Sequence, residues 1–446
     1  MSRLTAPSPA DLAHIPHLPA LPFVGHTLAL LRDPYGLHRR CAEKLGPIYK
    51  LRMLGQWRVA LAGREACELI LDDKEKQFSA HHGWDMIQPI FGGGLMLRDF
   101  DDHRRHRRIM QSAFRKPVMD GYRSQMDALM PVLIDAWPVA QKFRFYPAIK
   151  DLSLRIGTSI FMGLSPDDPR VATINAAFMD EVNAGVGVIR KPLPFTALRR
   201  GLKARAVLLD TFRALIPERR LAPGNDFFSQ MCVAQDESGG GWTEAEILDH
   251  FNFHMMAAHD TTASTIAAMV GALASHPEWQ TRLIGEIDSL PAGAIDDAGL
   301  AAMTLTDRVF REALRMMPPV PFIPRRATQD FVWKGTHIPA GTWVSCLPAT
   351  VMMSPEHYSD PEVFDPDRFS PNRAEHHGAR HVWAPFGGGA HKCIGMHFAN
   401  LEVKIFFRHL LARYRIEAVG KRPVKWRRLP VPRPVGELPI RLIPRS

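Results

Sequence analysis

The sequence predicts a mainly α-helical protein with a small β part, folded as one large domain. Three observations lead to this prediction: one very long helix-forming run, two distant stretches with strand-like alternation, and no flexible linker between two halves. Of the 446 residues, 46% are hydrophobic and 23% are charged, which is enough apolar material for a large core. The composition excludes a disordered chain, a fibrous repeat and a disulfide-stapled miniprotein.

The chain begins with a proline-rich stretch. Residues 1–25 are predicted to form an irregular segment ahead of a domain that spans residues 26–446. The first helix is expected to begin at Asp33-Pro34, because proline is tolerated in the first turn of a helix, and Gly46 is positioned to end it.

The β part is expected in two places. Residues 49–63 alternate apolar and polar side chains around Gly55, which is the pattern of a β-hairpin. Residues 331–346 look similar, with a turn at Lys334-Gly335. The two stretches are predicted to share one small sheet.

The longest predicted helix covers residues 244–275. Thr243 and Glu246 form a capping-box pattern at its start, and Pro277 marks its end. It is predicted to be a buried core helix, because a membrane span would not carry so many polar side chains: His250, His254, His259 and Asp260. Another helix is predicted near residues 397–413, directly after a glycine-rich loop.

Charge and cysteine usage narrow the setting of the protein but not its function. Lys and Arg number 56 against 46 Asp and Glu, and the resulting net charge of +10 favours anionic partners. The five cysteines form no C-x-x-C pair, and their odd number argues against a secreted disulfide framework. Because the N-terminus lacks an apolar run of signal-peptide length, we expect a cytoplasmic protein without a membrane span.

The most informative stretch is the glycine-rich loop from Pro385 to Gly395. Its cysteine, Cys393, immediately precedes a predicted helix, whose N-terminal dipole favours a thiolate. For a lone cysteine, a simple packing role carries about half the weight. The pattern F-x-x-G-x-x-x-C-x-G, formed by Phe386, Gly389, Cys393 and Gly395, changes this balance, because it resembles the haem-thiolate signature of the cytochrome P450 family.

The resemblance implies the family's fold, with the long helix lying over the haem, and a haem b whose iron is bound by Cys393. It extends to Glu312 and Arg315, which match the family's E-x-x-R, and to Arg368, which lies in a P-E-R-F-like element with Asp367 in place of Glu. In the family these residues form a buried ionic network behind the cysteine loop. Without the cysteine loop, a solvated i,i+3 pair on a helix is the simpler interpretation of the first two.

On the long helix, residues 257–262 resemble the oxygen-activation motif of the family. The resemblance implies that Asp260 and Thr261 manage protons, with Ala257 beside the cofactor. An acid and a threonine in mid-helix are locally unfavourable, and their disruption of the helix is expected to open a groove for dioxygen. Ala258 stands where the family usually has Gly, so its methyl group is expected to narrow this groove. The commoner fate of such residues is an exposed Asp and a Thr that faces its own helix.

Four residues match positions where the family holds the haem propionates, which charge-assisted hydrogen bonds would explain: His103, Arg107, Arg325 and His391. Taken by itself, the basic run at residues 103–108 is equally a nucleic-acid patch or a solvated surface.

The resemblance also implies a separate electron donor, an acidic ferredoxin or flavodoxin with its reductase. Cations expected to cluster on the cysteine side and dock this donor are Arg104, Arg105, Arg108, Lys392, Lys404 and Arg408. Arg427 and Arg428 either join them or solvate a loop. The protein is expected to be a monomer that binds no nucleic acid.

Substrate-contact regions of the family map onto apolar residues here: Trp84, Ile87, Ile90, Leu95, Met96, Ala258, Val320, Phe322, Ile323 and Val431. Each one alone is more simply an ordinary core residue. Together they predict an apolar pocket for a lipophilic molecule of terpenoid, steroid, fatty acyl or aromatic type.

The predicted function is that of a haem-thiolate monooxygenase, which activates O2 with two electrons and inserts one oxygen atom into its substrate. The same fold used for peroxide-driven oxygenation or a redox-neutral rearrangement is the first alternative, and the presence of Asp260 and Thr261 argues against it. A non-catalytic haem or lipid carrier and a nucleic-acid binder are the alternatives from other classes. The nucleic-acid alternative rests on charge, which is weak evidence about function.

Overall fold

Helices form most of the protein and a smaller β part accompanies them, so the predicted fold class is confirmed. The structure is a computed structural model that describes residues 4–185, 187, 189–236, 239–420 and 423–445. Residues 1–3 of the predicted N-terminal segment and Ser446 at the end of the predicted domain lie outside the described residues.

The α-helices of the described residues are numbered along the chain. They are α1 (Thr27–Arg32), α2 (Pro34–Leu45), α3 (Arg64–Asp72), α4 (Ala80–Gly83), α5 (Gln88–Phe91), α6 (Phe100–Gln111), α7 (Lys116–Asp135), α8 (Phe145–Met162), α9 (Arg170–Gly185), α10 (Ala197–Leu221), α11 (Phe227–Val233), α12 (Glu244–Ser275), α13 (Pro277–Asp288), α14 (Asp297–Ala302), α15 (Thr304–Met316), α16 (Pro348–Met352) and α17 (Met396–Arg413).

The strands of the described residues are numbered in the same way. They are β1 (Ile48–Met53), β2 (Gln56–Leu61), β3 (Phe78–Ser79), β4 (Phe143–Arg144), β5 (Ile323–Ala327), β6 (Phe331–Trp333), β7 (Thr336–Ile338), β8 (Trp343–Cys346), β9 (Tyr414–Ala418), β10 (Trp426–Arg427), β11 (Arg433–Pro434) and β12 (Pro439–Pro444).

Helix α12 is the long helix that the sequence predicts, and its bounds agree with the prediction. The hydroxyl of Thr243 accepts a hydrogen bond from the N–H of Glu246, whose carboxylate accepts one from the N–H of Thr243 at 2.8 Å. This capping box satisfies two backbone donors that would otherwise be unpaired at the helix start. The helix has 32 residues and is therefore roughly 48 Å long, enough to cross the whole protein.

The main apolar core forms around α12, with side chains from α7, α8, α9, α10 and α17. His254 is buried within it and stacks on Phe227 with 3.9 Å between ring centroids. The Nε2 atom of His250 lies 2.7 Å from Nδ1 of His106. His250 and His254 are therefore both buried, as expected for side chains of a core helix.

The largest sheet has the strand order β1-β2-β8-β5-β3. Strands β1 and β2 form the predicted hairpin, and Leu54 and Gly55 at its tip have φ angles of +47° and +86°, as a type I′ turn requires. Strand β8 pairs in parallel with β2, but β6 and β7 form a two-stranded ribbon of their own. The prediction of one shared sheet is therefore right for residues 343–346 and wrong for residues 331–338, because the turn at Lys334-Gly335 closes that hairpin on itself.

No described residue before Thr27 belongs to a helix or strand. The N-terminal segment is nevertheless packed on the sheet. Leu12 and Ile15 are buried, and the N–H of Lys50 in β1 donates to the Pro16 carbonyl at 2.9 Å.

Among the described residues, the helices that are long enough to cross a bilayer are too polar to do so.

Candidate active site

The glycine-rich loop holds Cys393 just before α17. The N–H of Cys393 donates to the carbonyl of Phe386 at 2.9 Å and closes the loop. Gly389 has a φ of +57°, and a Cβ at this position would lie 1.9 Å from the carbonyl oxygen of Leu71 in α3. Only glycine fits there, so the loop is pressed against α3 at that residue.

Cys393 differs from the other cysteines in its surroundings. It is exposed, whereas Cys41, Cys67, Cys232 and Cys346 are buried. Burial among protein atoms still raises the pKa of the Cys393 thiol, while the Gly395 N–H and two nearby cations, Arg107 and Lys392, act in the opposite direction. The sulfur is thus accessible to solvent while protein atoms surround it, so a bound group could reach it.

The four predicted propionate residues come together beside this loop. The rings of His103 and His391 lie 3.9 Å apart between centroids. Burial, followed by the nearby charges of Arg107 and Arg325, lowers the pKa of His103 to about 4. The pKa of His391 is also lowered by burial, with Arg325, His103 and Arg107 contributing. Both imidazoles are therefore neutral at pH 7.

These four side chains form no ion pair with a carboxylate in the part of the chain that the structure describes. Within the described residues, neither Arg107 nor Arg325 forms an ion pair with a carboxylate, and Arg325 donates only to the carbonyl of Pro324, at 2.9 Å. His103 Nδ1 is buried, and no hydrogen-bond partner for it occurs in the described part of the chain. A donor set of two guanidinium groups and two imidazoles fits a group that carries two carboxylates, as haem does.

The middle of α12 contains residues that solvent reaches although most of the helix is buried. Ala257 and Thr261 are both partly exposed, and the Thr261 hydroxyl donates to the Ala257 carbonyl at 2.7 Å. The helix continues through this point without a break. The helix is therefore not interrupted here, and the bond from the Thr261 hydroxyl to the carbonyl four residues back is of the kind that bends a helix without ending it.

Asp260 is held from a neighbouring helix. Lys150 of α8 places its Nζ 2.9 Å from Oδ1 of Asp260, and the two side chains are 18% and 15% exposed. His259 lies beside them, with its Nε2 3.7 Å from the same oxygen. Sequence reasoning missed Lys150, and no local pattern could have revealed it, because the contact joins two helices more than one hundred residues apart.

A second acidic side chain, Glu402 of α17, faces a small cavity behind α12. The space in which the centre of a water molecule fits is about 10 Å³, which is room for one water. Ser153, Ala258 and His259 also line the cavity. Burial raises the pKa of Glu402 to about 8, against a smaller opposing effect from the hydrogen bond with Ser153. Its Oε1 has no partner among the described residues. The structure thus places Ala258 at this cavity, whereas the sequence analysis placed it in the substrate pocket.

Glu312, Arg315 and Arg368 form the buried ionic network that the resemblance implies. Arg315 donates to both carboxylate oxygens of Glu312, at 2.7 and 2.8 Å, and Arg368 donates to Glu312 at 3.0 Å. All three side chains are at most 1% exposed. Arg368 also donates to Glu375 at 2.8 Å, a member that the sequence analysis missed. The alternative of a solvated pair is wrong.

The predicted pocket residues are only partly brought together. Residues that bury or half-bury their side chains in the α12 cluster are Ile87, Ile90, Leu95, Met96 and Ala258. Ile323 lies against Gly387 of the cysteine loop. Val431 adjoins Pro432, whose carbonyl accepts a hydrogen bond from Ser264 of α12 at 2.6 Å.

Other predicted pocket residues have different surroundings. The Phe322 ring packs on His38 and Tyr35, at 4.6 and 6.2 Å between centroids, in a separate cluster with α2 and β1. Val320 packs with the sheet, and Trp84 is partly buried beside α4. Phe322 and Val320 therefore serve clusters other than that of α12.

Some of the cations predicted to dock an electron donor are exposed, and others are held in contacts within the protein. Arg104 and Lys392 are exposed. Lys404 instead donates to a backbone carbonyl at 2.8 Å, and Arg408, whose side chain is 12% exposed, donates to Asp127 at 3.0 Å. The last two are committed to internal contacts, so the prediction that they dock a partner is not supported. The remaining predicted cations, Arg105, Arg108 and Arg427, are exposed, whereas Arg428 lies over the Tyr35 ring.

Comparisons with known proteins agree with this geometry. The family model described as Cytochrome P450 matches residues 16–431. A "Putative cytochrome P450 136" of Mycobacterium tuberculosis is 38% identical over 433 residues, which is 95% of this chain and 87% of that protein. The pentalenene oxygenase of Streptomyces avermitilis is 30% identical, with 89% of this chain and 90% of that protein covered. The solved structure of a retinoic acid bound cyanobacterial CYP120A1 superposes with a TM-score of 0.86 at 27% identity, covering 96% of this chain and all of that one.

Proposed function

This chain belongs to the cytochrome P450 family and is a monooxygenase with a cysteine-ligated haem, and from that premise we propose that Cys393 is the ligand and that the substrate is a terpenoid or steroid. The observation that carries the first part is the position of Cys393 in its loop, accessible at the start of α17 while the other cysteines are buried. When bound, a thiolate-ligated haem supplies the chemistry of O2 activation, because the thiolate favours O–O cleavage.

The residues around the loop would hold the cofactor. The Gly395 N–H is directed at the Cys393 sulfur, so it tempers the electron donation of a thiolate. Arg107 and Arg325 would pair with the two propionates, and the neutral rings of His103 and His391 would donate N–H hydrogen bonds to them. Phe386, whose carbonyl accepts from the Cys393 N–H, and Gly389, which lies against Leu71, would keep the cysteine loop in place for the cofactor.

Asp260 and Thr261 would move protons. The hydroxyl of Thr261 is half-exposed and donates a single hydrogen bond, to the Ala257 carbonyl. It can break that bond and donate elsewhere, because a new hydrogen bond then replaces the one lost. Asp260 is tied to Lys150 as a carboxylate, and when it turns away from that pair it can accept a proton from water and pass it on toward Thr261. Each group thus has a partner in this structure, the Ala257 carbonyl for Thr261 and Lys150 for Asp260, which it would leave in order to pass a proton.

A terpenoid or steroid is the substrate class that we place first among lipophilic molecules. Apolar side chains of α12 and of the residues just before α6, such as Leu95 and Met96, provide contacts without a fixed charge. Relatives of this chain include a pentalenene oxygenase, a taxane 10-beta-hydroxylase of Taxus cuspidata and a sterol 14alpha-demethylase of Mycolicibacterium vanbaalenii. Titration of the purified haem protein with a panel of terpenoids, steroids, fatty acids and aromatics, followed by its absorption spectrum, would rank these classes.

The electron donor that we propose is an acidic ferredoxin or flavodoxin with its reductase. Exposed cations such as Arg104 and Lys392 would steer it toward the cysteine side, so the rate of reduction should fall as salt rises. Two electrons from NAD(P)H per product molecule would distinguish this reaction from peroxide-driven oxygenation and from a redox-neutral rearrangement.

The test of Cys393 is the absorption spectrum of the reduced protein with bound carbon monoxide. The native protein is expected to show the band of a thiolate-ligated haem, and Cys393→His is expected to show that of an imidazole-ligated haem and to lose most activity. Lys392→Gln, the neighbouring substitution, should keep the thiolate band. A native spectrum with an imidazole band would overturn the assignment.

The test of Thr261 is the fraction of consumed NAD(P)H that appears as product. Thr261→Ala is expected to raise peroxide release at the expense of product, because it removes the hydroxyl that passes protons. Thr265→Ala is the matched control, since Thr265 makes the same bond one turn later, to the Thr261 carbonyl at 2.8 Å, and is buried. Equal coupling in the Thr261 variant and the native protein would contradict the role.

A further inference from the structure

Two cysteines lie in the core cluster that the largest sheet forms with α3. Cys67 of α3 and Cys346 of β8 are both fully buried in this cluster, where α3 packs against β8. Cys41 and Cys232 belong to other core clusters, and Cys393 lies in its exposed loop. Of the core clusters in the described part of the chain, this one alone therefore holds two thiols.

The thiols of Cys67 and Cys346 are neighbours. The hydrogen bond with Cys346 raises the pKa of the Cys67 thiol most, burial raises it further, and the Leu347 N–H acts in the opposite direction. The Cys67 sulfur thus lies against both the Cys346 side chain and the peptide group that follows it. A disulfide requires neighbouring sulfurs, and the fold has placed these two next to each other.

A buried cation lies beside the same pair. Where β5 pairs with β8, Ile323 is opposite Cys346 and Arg325 is opposite Val344, so Arg325 and Cys346 are diagonal neighbours on one face of the sheet. Burial lowers the pKa of the Arg325 guanidinium, and the charge of an ionised Cys346 acts in the opposite direction. A guanidinium beside a sulfur stabilises a thiolate, which is the form that attacks an oxidant.

The elements that carry the two cysteines also hold the cysteine loop. Leu71 lies one turn after Cys67 on α3, and its carbonyl is the group against which Gly389 of the loop is pressed. Ile323 lies opposite Cys346 and touches the same loop. A covalent bond between the two cysteines would therefore join the two supports of the loop.

We propose that Cys67 and Cys346 are a redox-modification site, at which hydrogen peroxide converts the two thiols to a disulfide that joins α3 to β8. A monooxygenase itself releases peroxide when O2 takes up two electrons and two protons and no oxygen atom reaches the substrate. The inference goes beyond the proposed function, because it depends neither on the haem ligand nor on the substrate class.

The reaction is a two-electron exchange in two steps. The Cys346 sulfur attacks one peroxide oxygen, the O–O bond breaks, a sulfenic acid forms and the other oxygen leaves as water with the thiol proton. The Cys67 sulfur then attacks the sulfenic sulfur, the S–S bond forms, the S–O bond breaks and a second water leaves. The two thiols are oxidised to one disulfide, and one peroxide is reduced to two waters.

Burial determines which oxidants can reach the pair. A fully buried cysteine is ordinarily an unreactive packing residue. Hydrogen peroxide is close to water in size and can enter when α3 and the sheet separate locally, whereas glutathione is too large for such an opening. Packing alone therefore predicts no disulfide with either oxidant, and the proposal predicts one with peroxide.

Peptide mapping of the purified haem protein tests the proposal. The protein is incubated with hydrogen peroxide or with glutathione disulfide, alkylated in denaturant, digested and analysed by mass spectrometry. With peroxide, the peptide pair joined through Cys67 and Cys346 is expected to rise about tenfold over the untreated protein. With glutathione disulfide, or with peroxide after catalase has been added, it should stay at the untreated level.

Single substitutions test the order of the two steps. In Cys67→Ala the sulfenic acid at Cys346 has no thiol to react with, so its labelling by dimedone should be about tenfold higher than that of Cys67 in Cys346→Ala. Cys41→Ala is the matched control, because it removes a buried thiol outside the pair and should leave the disulfide yield unchanged. Should an alanine variant fold poorly, the peptide map of the native protein is the decisive measurement.

Four outcomes would overturn the proposal. They are a pair that stays reduced after peroxide treatment, disulfides that join Cys41 or Cys232 as often as this pair, a disulfide that glutathione disulfide forms as readily as peroxide does, and equal dimedone labelling in the Cys67 and Cys346 variants.

Discussion

Glu312 on α15 and Glu402 on α17 are both almost fully buried, at 0% and 2% exposure, yet their surroundings differ. Glu312 accepts hydrogen bonds from Arg315, from Arg368 and from the N–H of Asp365. Glu402 has a hydrogen bond with Ser153, an unpartnered Oε1 and no cation at its side among the described residues.

The difference shows how the protein uses buried acids for two purposes. The two arginines around Glu312 compensate its charge, so this region is a fixed ionic frame for the segment that precedes the cysteine loop. Glu402 has no such compensation, and burial raises its pKa to about 8, so it holds a proton at pH 7. It lies at a cavity with His259, next to Asp260, where a group that can release a proton is chemically useful.

The largest expected effect comes from removing the acid of the ionic frame. Glu312→Ala leaves two arginines buried without their charge partner, so it should lower the free energy of unfolding by about 3–5 kcal/mol, measured by urea denaturation. Asp367→Ala is the control, because Asp367 is 37% exposed and pairs with Arg282 at the surface; it should cost under about 1 kcal/mol. Equal losses of unfolding free energy in the two variants would show that the buried ionic network contributes no more to stability than an ion pair at the surface.

A pH series of unfolding measurements tests the second acid. The pKa of Glu402 is about 8 in the folded protein and about 4.3 in the unfolded chain, so between these values the folded state holds a proton that the unfolded state has released. Stability therefore falls as pH rises through this window, by on the order of 1 kcal/mol per pH unit. Glu402→Gln should flatten this dependence and be more stable than the native protein near pH 8.

Glu181 provides a second, independent test of the same effect. It is also buried, its pKa is also raised to about 8 by burial, and it accepts a hydrogen bond from Asn252 at 2.6 Å. Glu181→Gln should flatten the pH dependence by a similar amount, and the double variant should flatten it further. A Glu402→Gln curve parallel to the native one would show that Glu402 is ionised in the folded protein.

The smallest expected loss of stability concerns Asp260, a carboxylate with one cation partner, whereas Glu312 has two and Glu402 has none among the described residues. Asp260 has one cation partner, Lys150, and solvent reaches both side chains. Lys150→Met should lower the free energy of unfolding by less than about 1 kcal/mol, because water replaces part of the lost interaction. If Lys150→Met lowered the free energy of unfolding about as much as Glu312→Ala, the Asp260–Lys150 pair would be a structural ion pair like that of Glu312, and Asp260 would not be free to turn away from Lys150.

Several features of the fold and site could be predicted from short stretches of sequence. The bounds of α12 follow from its capping box and apolar period, and the turn at Gly55 follows from the glycine. Cys393 stands out because its loop pattern is local and specific. The network of Glu312, Arg315 and Arg368 was named through the resemblance, since spacing alone favours a solvated pair.

What the sequence by itself determined is the helix-rich architecture, its long central helix and the loop around Cys393, since capping, periodicity and backbone freedom act within a few residues. Only the tertiary structure decided that β8 joins β2 while β6 and β7 pair alone, that Arg408 is occupied by Asp127, and that Glu402 is protonated. Strand partners, available cations and charge states all depend on neighbours distant in the chain. Electrostatic and desolvation energies are set by those neighbours, and so by the packing of the whole molecule.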